Sequence, residues 1–195
     1  MTSAGSSARR PAAVKGRAPR RNPGGRSGAV ATARPPSPAR FAISVRNEQA
    51  HLSIPAGRIR KIARMVLAAE EVAGATISVA LVDNRTIHRL NRKHLNHDFE
   101  TDVLSFLFDS ESEAIAAPKK PHSLRGKNLR IDGEIVISAE MAVQSAPRFG
   151  LSASDELALY LVHGLLHLCG YDDLTDVERR LMRKRERAIL KLLGV

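Results

Sequence analysis

Apolar and polar residues alternate along some stretches of the chain and recur at helical spacing along others. Residues 41–45 alternate and predict a half-buried strand, whereas the apolar positions after Pro55, within 59–67, lie three or four residues apart and predict an amphipathic helix. Residues 75–82 are β-branched and apolar enough for an inner strand. Asn84 then has the side chain of an N-cap for a short helix. The pattern therefore predicts strand, helix, strand and helix in that order.

The second half of the chain begins with strands and ends with helices. Residues 103–108 and 131–138 have the composition of strands, and the polar residues 109–128 between them predict an exposed hairpin excursion. Residues 138–149 form a candidate helix.

Two capping signals divide the rest of the chain into a pair of helices. An S-x-x-D capping box at 152–155 opens the first helix, which is expected to end at Gly170, and T-x-x-E at 175–178 repeats the signal for the second. The second helix is expected to turn an apolar stripe toward the body and a basic face outward. The residues of that stripe are Val177, Leu181, Met182, Ala188, Ile189 and Leu192.

The basic charge of the chain is concentrated at its N-terminus. The 195 residues contain 31 Lys and Arg against 20 Asp and Glu, but nine of these bases and none of the acids lie in residues 1–40. The remaining body carries only +2, so its composition does not mark it as a nucleic-acid-binding domain. Six of the ten prolines and no aromatic residue also lie in 1–40, which predicts disorder. We divide the chain into a disordered basic tail, 1–38, and one domain, 39–195. A transit peptide is the alternative interpretation of the tail.

Composition also argues against a disulfide-stabilised fold and a membrane span. The single cysteine, Cys169, cannot form an intramolecular disulfide. The longest apolar run, 157–169, is too short to cross a membrane and contains two histidines. Because the body is large enough to bury a sizeable core unaided, a metal is expected to serve chemistry rather than folding.

Three residues near the end of the apolar helix have the spacing of a metal site. His163 and His167 are four residues apart, so both imidazoles lie on one helix face and can chelate one ion. Gly170 permits the turn that ends the helix, and Asp173 then supplies a third ligand from the following loop. Three protein ligands leave one position open for water, as in a catalytic zinc site.

Two other interpretations of these histidines exist. The histidines can be satisfied polar groups of a buried helix, with Asp173 capping the next turn, but the spacing through Gly170 favours the metal site. A metalloprotease needs H-E-x-x-H, in which a glutamate follows the first histidine as general base, and this chain has Gly164 there. Peptide hydrolysis is therefore disfavoured.

The sequence around these ligands resembles a known family. Residues 163–173 read HGLLHLCGYDD, which is similar to the H-G-x-L-H-L-x-G-Y-D-H signature of the YbeY family of bacterial metallo-endoribonucleases. Leu-Asn at 90–91, followed by TDVLSF at 101–106, and GEIVIS at 133–138 match two further blocks of that family. The resemblance spans about residues 41–195.

The resemblance implies a fold, an activity and a substrate. The fold is α/β in the α+β sense, a small mixed sheet packed with helices, with the metal on a helix and the loop after it. The activity is that of a zinc-dependent, single-strand-specific endoribonuclease that holds one ion per chain. Its expected partners are single-stranded rRNA and the small ribosomal subunit, since the family acts in 16S rRNA 3′ end maturation and ribosome quality control. We expect a cytoplasmic protein that does not bind a membrane, or an organellar one if the tail is a transit peptide.

Two positions depart from the family pattern. Asp173 stands where the family has a third histidine, and carboxylate oxygen is also a zinc ligand, so the site can survive with a less positive net charge. Leu95 stands where many members have an arginine suited to holding a phosphate. The nearby cations are candidates to replace it, although for each of them a solvated surface charge is the favoured interpretation. These candidates are Arg89, Arg92, Lys93 and His97.

The other catalytic candidates are Asp172 and Ser105. Asp172 can take a proton or orient a ligand imidazole, and the second role is favoured because ligating histidines need such a partner. Ser105 can line the cleft, although a serine in a strand is more often structural. A ribosome or RNA assembly factor with a structural metal site is the alternative to the endoribonuclease.

Overall fold

A computed structural model describes residues 14–17, 40–112 and 124–195, and its strands form one mixed sheet. The elements in chain order are β1 (Val14–Arg17), β2 (Phe41–Asn47), α1 (Ala56–Ala69), β3 (Gly74–Val82), α2 (Asn84–Leu95), β4 (Val103–Ser112), β5 (Leu129–Ser138), α3 (Ala139–Phe149), α4 (Ala153–Leu168) and α5 (Asp176–Leu193). The order across the sheet is β1-β4-β5-β3-β2. Neighbouring strands are parallel except β4 and β5, which are antiparallel. The expected α+β class with a small mixed sheet is therefore confirmed.

The sheet has a thick core on one face and a thin one on the other. Side chains of α1, α3, α4 and α5 join alternate residues of the strands, such as Val103 and Ile135, in the larger apolar cluster. The intervening strand residues, such as Leu104 and Val136, pack with α2 on the opposite face. Alternation along each strand thus separates the two layers.

Helix α4 lies at the centre of the thick layer. It contacts α1, α3, α5, β4 and β5, and twelve of its sixteen residues are buried. Gly164 permits this close approach, because a Cβ there would lie 3.0 Å from Ser105 Oγ and 3.1 Å from methyl carbons of Val103 and Ile135. The lack of a side chain at Gly164 therefore allows the turn of α4 that carries His163 to pack directly against the sheet.

Most predicted elements are present, with three differences. Helix α2 is capped by Asp83, whose carboxylate accepts the Thr86 N–H at 2.7 Å, so the N-cap lies one residue before the predicted Asn84. The Asn84 side chain instead accepts a hydrogen bond from Ser138 Oγ. Strand β4 continues four residues beyond the predicted end at 108. In α5 the predicted apolar residues Val177 and Leu192 are 58% and 66% exposed, so the buried stripe is narrower than expected.

Parts of two sequence predictions lie outside the described residues. The predicted tail is described only at Val14–Arg17, where the backbone pairs with β4 in parallel. Residues 113–123 of the predicted hairpin excursion are likewise outside the description. Within the part of the chain that is described, no helix combines the length and hydropathy that crossing a membrane requires.

Candidate metal centre

The three predicted ligands come together at the C-terminal end of α4. His163 Nε2 and His167 Nε2 lie 3.0 Å apart, and the two rings are perpendicular. The helix ends at Leu168 with Cys169 as its C-cap, and Gly170, with φ of 96°, turns the chain back toward it. One ligand atom from each of His163, His167 and Asp173 then lies within 4.8 Å of the others. The local sequence thus brings two imidazole nitrogens and a carboxylate to one point.

Hydrogen bonds at the other ring nitrogens fix the direction of both histidines. His163 Nδ1 lies 2.5 Å from Glu186 Oε1, on α5. His167 Nδ1 lies 3.1 Å from the Tyr171 carbonyl oxygen. Since a carbonyl oxygen or an ionised carboxylate only accepts, each Nδ1 carries the proton and each Nε2 presents a lone pair. Both lone pairs face the same small space.

This arrangement fits a metal ion. Two lone pairs 3.0 Å apart repel unless a proton or a cation lies between them. Ligand nitrogens about 2.0–2.1 Å from a tetrahedral ion are separated by roughly 3.3 Å, close to the separation here. Nitrogen donors with one carboxylate oxygen form a donor set that zinc and other first-row divalent ions accept. The donors and their spacing therefore match the site predicted from the sequence.

Acidic side chains surround the two histidines. Burial lowers the pKa of His163, but the hydrogen bond and charge of Glu186 together with the other nearby carboxylates outweigh it, so that pKa lies above its ordinary value. The charges of Asp102 and Asp173 act in the same direction. Burial raises the pKa of Asp102 itself, against the opposing effect of His163. The site thus has the negative potential that stabilises a bound cation.

The turn that carries Asp173 is tied to the rest of the protein. Arg125 donates to the Gly170 carbonyl oxygen at 3.0 Å and pairs with Glu178 of α5 at 2.5 Å. The Tyr171 hydroxyl donates to Glu70 Oε1 at 3.3 Å. Glu70 is fully buried and also forms an ion pair with Arg185 of α5. Glu70, which directly follows α1, and Arg125, which pairs with α5, therefore hold the turn in place.

The structure gives Ser105 and Asp172 clear local contacts. Ser105 is buried, and its hydroxyl donates to the Gly164 carbonyl oxygen at 3.2 Å, so it joins β4 to α4. Asp172 Oδ1 accepts the N–H groups of Asp173 and Leu174 at 2.8 and 3.3 Å, which shapes the ligand turn. The catalytic roles of Ser105 and Asp172 stay predictions.

The basic residues considered as replacements for the family's arginine have their contacts away from the three ligands. Leu95 packs with the apolar cluster under α2, on the opposite face of the sheet. Arg89 and Lys93 line a cleft of about 510 Å³ on that same face. Arg92 lies 3.9 Å from Asp98, and the His97 ring stacks on Phe99.

Sequence reasoning missed two acids of the site, Glu186 and Asp102. Glu186 lies 19 residues beyond His167, so no local spacing connects them. One signal was available. Glu186 lies four residues after Met182 and three before Ile189, the two buried residues of α5, so it shares their side of the helix and faces the body. Asp102 belongs to the TDVLSF block, but nothing in that block alone indicates that it faces a histidine.

Comparison with known proteins gives the same family. The family model described as Endoribonuclease YbeY matches residues 44–194. Proteins named Endoribonuclease YbeY are similar to this chain. That of Chloroflexus aggregans is 37% identical over 147 residues, which are 74% of this chain and 91% of the relative. That of Moorella thermoacetica is 37% identical over 158 residues, 78% and 97% of the two chains.

A third relative is longer. The Endoribonuclease YbeY of Rhodopirellula baltica is 36% identical over 140 residues, which cover 69% of this chain and 64% of that relative. The family match covers most of the domain that contains His163, His167, Asp173 and Glu186. The chain belongs to the YbeY family of endoribonucleases.

Proposed function

We propose that this protein is a metal-dependent endoribonuclease that hydrolyses phosphodiester bonds of single-stranded RNA. We further propose that it holds one zinc ion per chain through His163, His167 and Asp173. The observation that carries the proposal is the convergence of their three ligand atoms within 4.8 Å, with both Nδ1 atoms held by acceptors. Membership of an endoribonuclease family supplies the substrate class.

Each residue of the site has a role in this proposal. When bound, the ion supplies a Lewis acid for a phosphoryl oxygen and a water of low pKa as nucleophile. His163 and His167 donate Nε2 lone pairs, and their Nδ1 partners keep the tautomers correct. Asp173 contributes an oxygen and one negative charge. Asp172 shapes the ligand turn through its backbone hydrogen bonds, and Ser105 fixes the distance between β4 and α4.

We propose maturation of the 16S rRNA 3′ end and ribosome quality control as the biological role. The substrate is then single-stranded rRNA on the small ribosomal subunit, and the protein acts in the cytoplasm, or in an organelle if residues 1–38 are a transit peptide. Family resemblance supports this role. The scarcity of aromatic side chains, 4% of the sequence, also favours recognition of the RNA backbone over base stacking.

The first prediction tests the metal and the reaction together. We expect the purified protein to carry about one transition metal ion per chain and to cut a single-stranded RNA, and a chelator to abolish cleavage. His167→Ala and Asp173→Ala should lose both metal and activity, because each removes a ligand. Metal content and gel-resolved cleavage products are the measurements. Asp176→Ala is the matched control, since its side chain is 82% exposed and pairs with Arg179.

Three outcomes contradict the proposal. Full cleavage by metal-free Asp173→Ala protein would show that the reaction does not need this site. If the metal-loaded protein cuts no single-stranded RNA and Asp173→Ala unfolds it, the metal is structural and the assembly-factor alternative holds. Chelator-sensitive casein hydrolysis would instead indicate a metalloprotease.

A further inference from the structure

Helix α5 carries an exposed row of positive charge beside the candidate metal centre. Residues at i, i+3, i+4, i+7 and i+11 lie on one side of a helix, and five basic residues of α5 have this spacing. We call this row the α5 ridge; its members are Arg180, Arg183, Lys184, Arg187 and Lys191, all exposed. At 1.5 Å per residue the ridge is about 16 Å long.

The carboxylates of α5 point elsewhere and do not neutralise the ridge. Asp176 pairs with Arg179 at 2.7 Å. Glu178 pairs with Arg125, and Glu186 pairs with His163. No described carboxylate forms an ion pair with a residue of the ridge, although the two remaining arginines of α5 are both paired. Like charges at i+3 and i+4 repel along the helix, and a bound polyanion removes that repulsion.

The ridge dominates the charge of the folded body. Helix α5 contains seven basic and three acidic residues, whereas the rest of residues 41–195 contains 15 basic and 17 acidic ones. The body of the protein is therefore slightly acidic apart from this helix. An anionic partner that approaches the body is attracted to α5.

The metal centre itself needs such a neighbour. The charged side chains that act on His163 are the carboxylates of Asp102, Asp173 and Glu186, so basic side chains that hold a phosphate chain must lie outside this group. Helix α5 begins three residues after Asp173, and Glu186, about 120° around the helix from the ridge, touches His163. An RNA strand that lies along the ridge therefore follows the same helix that contacts the metal centre through Glu186.

We propose that the α5 ridge binds the sugar-phosphate backbone of the single-stranded RNA substrate and directs it past the metal centre. The inference rests on the proposed function, which supplies the substrate. The ridge has no aromatic side chain with which to read bases, so binding is independent of sequence and depends on salt. The apolar side of α5, with Met182 and Ile189, is buried against the body, so the helix is not free to insert into a lipid surface.

The test compares two variants of the full-length holoprotein that lose the same charge. The ridge variant replaces four adjacent members with glutamine, Arg180, Arg183, Lys184 and Arg187. The control variant replaces four exposed arginines on four different elements, Arg46, Arg64, Arg85 and Arg148. Affinity is measured by fluorescence anisotropy with a labelled 12-nucleotide single-stranded DNA, a phosphate chain that an endoribonuclease does not consume. Circular dichroism and metal content verify folding of each variant.

We expect the ridge variant to bind at least tenfold more weakly at 150 mM salt, and the control to change less than threefold. For single strands, each neutralised phosphate adds roughly 0.7 to the slope of log affinity against log salt. Removing four phosphate-binding cations should therefore make that slope shallower by about 3. The KM for RNA cleavage should rise with little change in kcat. Equal losses in the two variants would show that net charge alone binds RNA, which overturns the proposal.

The remaining outcomes separate this inference from the proposed function. If wild-type protein cuts no RNA but the ridge variant alone loses affinity, the endoribonuclease proposal fails while nucleic-acid binding by the ridge is supported. If wild-type protein cuts RNA and the ridge variant binds and cuts equally well, the ridge proposal fails. The ridge variant can also be tested on anionic phospholipid vesicles. If it loses vesicle binding while its nucleic-acid affinity stays unchanged, the ridge proposal is overturned in favour of a lipid surface.

Discussion

At the scale of single residues, the site depends on which nitrogen of each histidine faces the other two ligands. The spacing of His163 and His167 was enough to predict that both rings share a face. The acceptors at Nδ1 could not be predicted, because Glu186 comes from another helix and the Tyr171 acceptor is a backbone oxygen. Their positions depend on how the chain folds back after Gly170. Local spacing therefore predicted the ligands but not their orientation.

The residue-scale prediction concerns Glu186. Glu186→Gln keeps a hydrogen-bond acceptor for His163 but removes its charge, and charge-assisted hydrogen bonds are about twice as strong as neutral ones. We expect metal affinity to fall roughly 10- to 100-fold, the usual effect of losing an outer partner of a ligand. Competition with a chelator of known affinity measures the change.

A matched substitution controls for the loss of a glutamate. Glu134→Gln makes the same chemical change beside the cleft under α2, on the other face of the sheet, and should leave metal affinity within twofold. Added excess metal should restore cleavage by Glu186→Gln if the residue only positions His163. Unchanged metal affinity in Glu186→Gln would show that its contact with His163 does not support the site.

At the scale of elements, capping residues and periodicity predicted most helix and strand positions. Ser152 and Thr175 cap α4 and α5 as their capping boxes indicated. Asp83 rather than Asn84 caps α2, because the Asn84 side chain bonds to Ser138 at the start of α3. Such a contact links residues 54 positions apart and leaves no local signal. Periodicity likewise predicted that Val177 and Leu192 are buried, but both lie outside the part of α5 that packs against the body.

The element-scale prediction concerns the start of α4. Ser152 Oγ accepts the Asp155 N–H at 3.1 Å, and loss of an N-cap typically costs about 1 kcal/mol of unfolding free energy. Ser152→Ala should therefore lower the melting temperature by roughly 2–4 °C. Because the ligands lie three turns away, metal affinity should stay within twofold. Thermal melts with Ser154→Ala as the control measure this, and an unchanged melting temperature would contradict the capping role.

At the scale of the whole molecule, family resemblance indicated the α+β class but not the arrangement of charge. The sequence assigned nine basic residues to the N-terminal region and a charge of only +2 to the rest. In α5, Arg179 and Arg185 form ion pairs with acidic side chains. The other five basic residues lie on one side of the helix because of their spacing. Composition could not show this, because a count does not distinguish Arg185, paired with Glu70, from Arg183, which is exposed.

The molecule-scale prediction concerns the predicted tail. Deleting residues 1–38 removes eight basic residues and should weaken RNA affinity, most strongly at low salt, while metal content and the cleavage rate at saturating RNA stay unchanged. The melting temperature should fall, because the pairing of Val14–Arg17 with β4 is also removed. Metal analysis, anisotropy and thermal melts give the three results. Loss of metal from the truncated protein would show that the N-terminal region helps to build the site.

The three ligands belong to two parts of the molecule that differ in how much of the protein covers them. His163 and His167 are held in α4, which is covered by three helices and two strands, so they separate only when the core opens. Asp173 lies on a short turn next to Leu174, which is 82% exposed. Local opening of that turn would break the contacts of Arg125 and Tyr171 and move Asp173 without unfolding α4. We therefore expect substitutions that loosen the turn to weaken metal binding with little loss of fold stability, whereas substitutions in the core of α4 should lower both.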